Sequence, residues 1–266
     1  MIEHIALIGF GEAGSTFAQA GAWRERACAY DIDAARQTVM EVCSVRPCQS
    51  AREALAGASL VLSLVTADQA LVAVRECAGL LANRALWCDM NSVAPQTKCG
   101  AAAAIEAAGG RYVDVAVLAP VEPGRLAVPL LLAGPHVSEA GTALRDAGFS
   151  NVRVVSEQVG MASAIKMIRS VMVKGIEALT DEMMAAAAVA GVTDEVLASL
   201  DASEKSQPWA QRAEYNLERM QTHGLRRAAE MEESAKTLEA LGVEPVMTRG
   251  TVLRQRAASR HKDHAA

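Results

Sequence analysis

The alternation of short apolar runs with helical segments constrains the fold of the first 157 residues more than any other feature. Runs such as SLVLSLV and GRYVDVAVL are almost wholly apolar, and segments with helical spacing separate them. Runs without polar alternation are typical of parallel strands whose two faces are both covered by helices. We therefore predict an α/β fold, with a doubly wound Rossmann domain at residues 1–157.

Strand signals stop after Val159, and the remaining chain is predicted to be a smaller all-α domain at residues 158–266. Helical patterns cover about residues 160–191, 193–201, 205–222, 224–241 and 246–260. A helical domain this short would bury its apolar faces well only against a second copy. We therefore expect a homodimer whose helical domain serves both substrate binding and dimerisation.

Composition excludes several classes of partner. A formal charge of -5 and a pI near 5.6 argue against nucleic-acid binding, which favours a basic surface. The six cysteines show no ligand spacing, so we predict reduced thiols and no metal site. Neither a signal peptide nor an apolar run long enough to span a membrane is apparent. We expect a cytoplasmic protein without membrane contact.

A GxGxxG turn follows the first predicted strand and opens a predicted helix. Gly9 permits a tight turn, Gly11 lets a pyrophosphate approach the backbone, and Gly14 allows close helix packing. The free N–H groups at the helix N-terminus favour phosphate binding. The turn therefore predicts a dinucleotide site formed by residues 9–14, namely Gly9, Phe10, Gly11, Glu12, Ala13 and Gly14.

Asp31 ends the second predicted strand about 20 residues after the glycine turn, the usual place for an acid that binds the adenosine ribose. Its carboxylate would repel a 2'-phosphate, so we predict NAD as the cofactor. Arg36 is close enough in sequence to meet such a phosphate, which keeps NADP as the alternative.

Ligands of an open parallel sheet bind beyond the carboxyl ends of its strands, so the residues that follow each strand are candidates. Val65 and Thr66 lie at the end of the predicted strand SLVLSLV and are predicted to border the nicotinamide or its ribose. Asn91 and Ser92 follow the next strand and are predicted to contact cofactor and substrate. Capping of the helix that begins near Pro95 is an equally strong and compatible interpretation of these two residues.

The predicted helix that begins after Gly160 is apolar except for one polar seam. The seam contains Lys166, Ser170 and Lys174, followed by Glu177 and Asp181. A lysine drawn into an apolar cleft is suited to proton transfer, because burial disfavours its charged form. The alternative is a solvated face on which the lysines pair with the two acids.

A second polar cluster lies in THGLRRAAEMEE and contains His223, Arg226, Arg227 and Glu230. Such a run is usually a solvated helix face. We nevertheless predict substrate binding by His223, Arg226 and Arg227, because an arginine can bind a carboxylate or phosphate through two hydrogen bonds.

The glycine turn, DMNSVAP and the lysine helix that opens with glycine resemble the β-hydroxyacid dehydrogenases, which include the hydroxyisobutyrate and 6-phosphogluconate dehydrogenases. The family's usual asparagine is replaced by Ser170, and DVAVLAP replaces the family's DAPVSGG. With these departures, the chain is similar to a branch of the family whose C-terminal domain has no known function. The resemblance covers about residues 2–180. It implies that Lys166 is the catalytic lysine.

The expected function is that of an NAD(P)-dependent oxidoreductase that interconverts a small hydroxy acid and its oxo acid. Lys166 would be the general acid/base, with Ser92 and Ser170 orienting the reacting oxygen. Lys174 would bind an anionic group of the substrate. Two alternatives are an imine-reducing enzyme and a nucleotide-binding sensor without turnover.

Overall fold

The computed structural model describes residues 4–203 and 207–260, without the side chains of Glu177, Glu230, Glu233, Lys236 and Arg260. The proposed roles of Glu177 and Glu230 in the polar clusters therefore lie outside the described part. The chain forms two compact units, which divide between Arg169 and Ser170. This division lies inside a long helix that begins at Met161.

The described strands of the first unit form one eight-stranded sheet in the order β3-β2-β1-β4-β5-β6-β7-β8. All neighbouring strands are parallel except β6 and β7, which are antiparallel. A parallel return normally needs a crossover helix, and the chain between β6 and β7 contains only one short 3-10 turn. The strands are β1 Ile5–Ile8, β2 Ala27–Tyr30, β3 Arg46–Pro47, β4 Leu60–Ser63, β5 Leu86–Asp89, β6 Arg111–Val117, β7 Leu130–Ala133 and β8 Val152–Ser156.

Helices cover both faces of this sheet, which confirms the predicted doubly wound domain. The two larger apolar clusters are separate, one containing Phe17 and Phe149, whose ring centroids are 5.0 Å apart, and the other containing Trp87 and Ile105. The helices that cover the sheet are α1 Glu12–Gly21, α2 Arg36–Val42, α3 Ala51–Leu55, α4 Ala70–Cys77, α5 Pro95–Ala107 and α6 Val137–Asp146.

The second unit is helical in its described part, as predicted. It contains most of α7 Met161–Ala190, followed by α8 Thr193–Ser203, α9 Trp209–Ala240 and α10 Val246–Arg260. The predicted helix break between residues 222 and 224 is wrong, because α9 continues through Gly224. Gly224 is buried, and a Cβ there would lie 2.3 Å from the backbone oxygen of Gln255, so this glycine allows close packing of α9 against α10.

Glu182 of α7 holds the start of α10. Its carboxylate accepts hydrogen bonds from the backbone N–H of Met247 (2.7 Å) and Thr248 (2.9 Å) and from Oγ1 of Thr248 (2.6 Å). Burial acts to raise the pKa of Glu182, yet these hydrogen bonds outweigh it and hold the pKa below its usual value. Glu182 therefore acts as a distant cap for α10.

None of the helices in the described residues is long and apolar enough to cross a membrane.

Replacing Gly224 by alanine should destabilise the protein by roughly 1–3 kcal/mol, because the added methyl group would overlap backbone and side-chain atoms of α10. Gly250 of α10 provides the matched control, since a Cβ there meets no atom within 4 Å. Gly250→Ala should stabilise its helix by up to about 1 kcal/mol. Thermal unfolding of both variants checks this, and a Gly224→Ala protein at least as stable as wild type would contradict it.

Candidate functional site

The glycine turn between β1 and α1 has the geometry that its three glycines predict. Gly9 has a φ of +91°, and a Cβ there would lie 2.6 Å from the backbone oxygen of Leu64. A Cβ on Gly11 would meet no atom within 4 Å, which leaves its backbone open to a ligand. A Cβ on Gly14 would lie 3.0 Å from the oxygen of Gly9, so α1 packs closely on the turn.

Asp31 lies directly after β2 and contacts the glycine turn. Its Oδ2 accepts a hydrogen bond from the backbone N–H of Phe10 (2.6 Å), and its Oδ1 accepts one from Asp33 (2.9 Å). An ionised carboxylate has about four lone-pair sites, so both oxygens can accept further hydrogen bonds from a ligand. Asp31 and Gly11 line a cavity of about 290 Å³ at this edge of the sheet.

A second cavity of about 480 Å³ brings together most of the other predicted site residues of the first unit. Leu64, Val65 and Thr66, at the end of β4, line both cavities and thus form the wall between them. Apolar side chains that follow β5 and end β6, among them Met90 and Val117, line one side. The predicted residues in this cavity are Glu12, Ala13, Val65, Thr66, Asn91, Ser92 and Lys166.

Lys166 and Ser92 are in direct contact in this cavity. Nζ of Lys166, on the second turn of α7, donates a hydrogen bond to Oγ of Ser92 at 2.5 Å. A hydroxyl oxygen that accepts from an ammonium group can still donate its own proton to a substrate oxygen. The pair can therefore orient one reacting oxygen and exchange a proton with it.

The suggested capping role of Asn91 and Ser92 is wrong. The N-cap of α5 is Ala94, without a side-chain cap, and Pro95 occupies the first turn. Asn91 instead donates from its backbone N–H to Oδ1 of Asp89 and from Nδ2 to Oγ of Ser63, each at 3.0 Å. The buried Oδ1 of Asn91 has no hydrogen-bond partner within the described residues.

The segments that carry Ser92 and Lys166 are both hydrogen-bonded to a buried charge cluster, which we define as Asp89, Lys98 and Asp114. The two aspartates are register partners on the neighbouring strands β5 and β6. Nζ of Lys98 lies 2.9 Å from Oδ1 of Asp89 and 3.4 Å from Oδ1 of Asp114. All three side chains are at most 1% exposed, so these are fully desolvated charges.

Further hydrogen bonds join the charge cluster to its surroundings. The hydroxyl of Tyr112 donates to Oδ2 of Asp89 at 2.7 Å. Burial and the charge of Asp89 raise the pKa of Tyr112 well above its usual value, so the phenol stays protonated and donates. Oδ2 of Asp114 accepts from the backbone N–H of Gly160 (3.1 Å), which directly precedes α7, and from that of Ser163 (3.0 Å) in its first turn.

The remaining predicted site residues lie in the second unit. Ser170 and Lys174 follow Lys166 along α7, and Lys174 is exposed. His223 and Arg226 of α9 are also exposed, whereas Arg227 is half-buried and its Nε has no hydrogen-bond partner in the described structure.

Sequence reasoning missed the charge cluster, although signals for it were present. Asp89 and Asp114 are single acids at the end of LWCD and within VDVAV, and an acid in a buried strand requires a partner. Lys98 is the only charged residue between Pro95 and Ile105. A buried acid in each of two adjacent strands and a lone lysine in the next helix together indicate a buried ion pair.

Two family models match the chain in sequence. Residues 4–135 match the NAD binding domain of 6-phosphogluconate dehydrogenase, and residues 187–258 match the Domain of unknown function (DUF1932). The first match covers the glycine turn, Asp31 and the strand ends that line both cavities. The second covers α8, α9 and most of α10.

Solved structures similar to this chain include proteins of both known and unknown function. A conserved hypothetical protein from Sinorhizobium meliloti is 38% identical, with 98% of this chain and 89% of that chain covered and a TM-score of 0.63. A conserved protein of unknown function, described as structurally similar to 3-hydroxyacid dehydrogenases, is 26% identical, with 99% of each chain covered and a TM-score of 0.61.

The fold is shared more widely. An imine reductase from Myxococcus stipitatus in complex with NADP+ is 17% identical, with 97% of this chain and 94% of that chain covered and a TM-score of 0.80. At this identity the similarity shows the fold alone. The family assignment rests on the two family models and on the two more similar structures. The chain belongs to the β-hydroxyacid dehydrogenase superfamily, in the branch that joins an NAD binding domain of the 6-phosphogluconate dehydrogenase type to a C-terminal domain of unknown function.

Proposed function

We propose that the protein is an NAD(P)-dependent oxidoreductase that interconverts a small hydroxy acid and its oxo acid. The observation that carries the proposal is the 2.5 Å hydrogen bond between Lys166 and Ser92, in a cavity that also contains residues of the glycine turn. An amine and a hydroxyl that converge beside a dinucleotide-binding turn are suited to proton exchange with a substrate oxygen.

The residues around the first cavity fit a dinucleotide cofactor. The open space above Gly11 and the N-terminus of α1 suit a pyrophosphate, and the free lone pairs of Asp31 suit ribose hydroxyls. Arg36, the candidate partner of a 2'-phosphate, forms a 3.5 Å ion pair with Asp33. We therefore propose NAD as the preferred cofactor.

When bound, the nicotinamide accepts or supplies the hydride. In the oxidative direction Lys166, in its neutral form, would take the proton of the substrate hydroxyl, and in the reverse direction it would return that proton. Ser92 would hold the reacting oxygen through its hydroxyl. Ser170, one turn after Lys166 on α7, is proposed to assist in this orientation.

The proposed substrate is a small anion. The end of β6 offers Val117, Ala119 and Pro120 to the cavity, without the serine and glycine amides of the usual family motif. We propose that Lys174, His223, Arg226 or Arg227 supplies the missing anion contact. An imine-reducing activity and a sensor without turnover are the alternatives, and the cytoplasmic location stays a prediction.

Lys166→Ala should lower turnover by roughly 100-fold or more, because it removes the proposed acid/base, while NADH binding persists. A screen of hydroxy acids, oxo acids, aldehydes and imines, followed by the absorbance of NADH and NADPH, measures this with wild type and variant side by side. Arg169→Ala, an exposed change on the same helix, is the control and should retain activity. Full turnover by Lys166→Ala would refute the assignment, and cofactor binding without turnover on any compound would favour a sensor.

Asp31→Asn should weaken NADH binding by about 10-fold or more, because a charge-assisted hydrogen bond to the ribose would be lost. NADPH binding should suffer less, since the same change removes repulsion of the 2'-phosphate. Titration of cofactor fluorescence measures both constants. Asp201→Asn changes an exposed acid of α8 that lines neither cavity, and it should leave both constants unchanged. Equal losses for both cofactors would argue against a ribose contact.

The proposed homodimer rests on the apolar surface of the second unit. Along α7 the large side chains of Val171, Met172, Ile176 and Leu179 are all exposed. The buried apolar residues described in this unit are Ala186, Ala187, Ala228, Ala235 and Val252, which make a small core. Exposed apolar patches of this kind usually mark an interface. A second copy of the chain would bury them.

Val171→Glu should shift the protein from dimer towards the 28.0 kDa monomer, because it places a charge in the proposed interface. Val42→Glu is the matched control, since Val42 of the first unit has the same 76% exposure as Val171. Sedimentation equilibrium distinguishes the two states. A wild-type monomer, or a dimer that Val171→Glu leaves intact, would contradict this interface.

A further inference from the structure

We propose that Lys98 is a positioning residue for the Lys166–Ser92 contact, because its ammonium group holds Asp89 and Asp114 together and these two acids anchor the segments that carry the pair. The inference rests on the proposed function only in treating that contact as catalytic. Lys98 is buried and is not among the residues that line the cavity. Its effect is therefore indirect.

The two acids need a cation because of where the sheet places them. Asp89 and Asp114 are register partners on β5 and β6, and both side chains are excluded from solvent. Two desolvated carboxylates on adjacent strands repel each other strongly. Lys98 reaches back from the first turn of α5 and lies within ion-pair distance of both.

The Asp89 side of the cluster fixes the loop that carries Ser92. Oδ1 of Asp89 accepts the backbone N–H of Asn91, the residue immediately before Ser92. The backbone oxygen of Val93, the residue immediately after it, accepts the hydroxyl of Ser163. Ser92 is thus held between two anchored neighbours.

The Asp114 side fixes the start of α7. Oδ2 of Asp114 accepts the backbone N–H groups of Gly160 and Ser163, which have no partner within the helix itself. Gly160 has a φ of +94°, and a Cβ there would lie 3.2 Å from Cβ of Pro95. Lys166 follows Ser163 by about one helical turn, so this anchor sets its position.

Ser163 links the Asp114 side of the cluster to the loop that carries Ser92. Its backbone N–H binds Asp114, and its hydroxyl binds the backbone of the Ser92 loop. Without the ammonium group of Lys98, the two buried carboxylates would lack their counter-ion, and either their separation or the protonation of one of them would disturb these hydrogen bonds. The loop and the start of α7 would then move relative to each other.

The test compares Lys98→Met with wild type by the reactivity of Lys166, which needs no substrate. Brief acylation with acetic anhydride, followed by peptide mass spectrometry, gives the labelling of Lys166 relative to the exposed Lys174 on the same helix. We expect this ratio to rise in Lys98→Met, because Lys166 loses its fixed contact in the cavity. Asp114→Asn keeps one side-chain oxygen that can accept from Gly160 and Ser163, and it leaves the ion pair between Lys98 and Asp89. This variant should therefore fold, and it should raise the labelling ratio less than Lys98→Met does.

A core variant separates positioning from a general loss of stability. Leu144→Ala removes buried apolar contacts of α6 and should destabilise the protein without changing the labelling ratio. The proposal is overturned if Leu144→Ala raises the ratio as much as the cluster variants do, or if neither cluster variant raises it. If Lys98→Met does not fold, the labelling ratio of Asp114→Asn alone tests the proposal.

Turnover provides an independent second readout on any substrate that the screen identifies. Lys98→Met should lower kcat by about tenfold or more while the dissociation constant of NADH is unchanged, since misplacement by about 1 Å can cost about 100-fold. Unchanged kcat would overturn the positioning role. A Lys166→Ala protein with full activity would refute the proposed function instead, and the labelling ratio would still report on the anchor.

Discussion

The ion pairs that join Lys98 to Asp89 and Asp114 are the constraint on which the candidate site depends. A buried acid lies on each of two adjacent strands, and these acids accept hydrogen bonds from the Ser92 loop and from the start of α7. Apolar residues could fill the same volume, but they could not satisfy the free N–H groups at a helix N-terminus. The charges therefore specify the geometry between strand ends and helix.

Much of the first unit could be predicted from sequence because its signals are local. The apolar runs and the GxGxxG turn predicted the doubly wound sheet, and the open backbone at Gly11 fits the predicted ligand approach. The antiparallel direction of β7 and the two-residue strand β3 were not predicted. Their placement depends on the absence of a crossover helix and on pairing with β2, which a local pattern does not encode.

The site itself was only partly predictable, for a related reason. Residues that follow strands could be located, and the structure brings Ser92 and Lys166 into contact. Their supporting contacts join residues up to 70 positions apart, as between Ser163 and Val93. Gly224 shows the same limit in the second unit: it lies beside the predicted helix break, yet α9 continues through it and α10 packs closely against it. In both places the structure depends on contacts between residues that are far apart in sequence.

The absence of a side-chain cap at α5 has an experimental consequence. Because Ala94 and Pro95 begin this helix, the hydroxyl of Ser92 has no part in helix formation. Substitutions at Ser92 can therefore alter the chemistry of the cavity without destabilising α5. The residues that begin α5 and the residue that contacts Lys166 are therefore different ones, so a substitution at Ser92 tests the cavity separately from the stability of the helix.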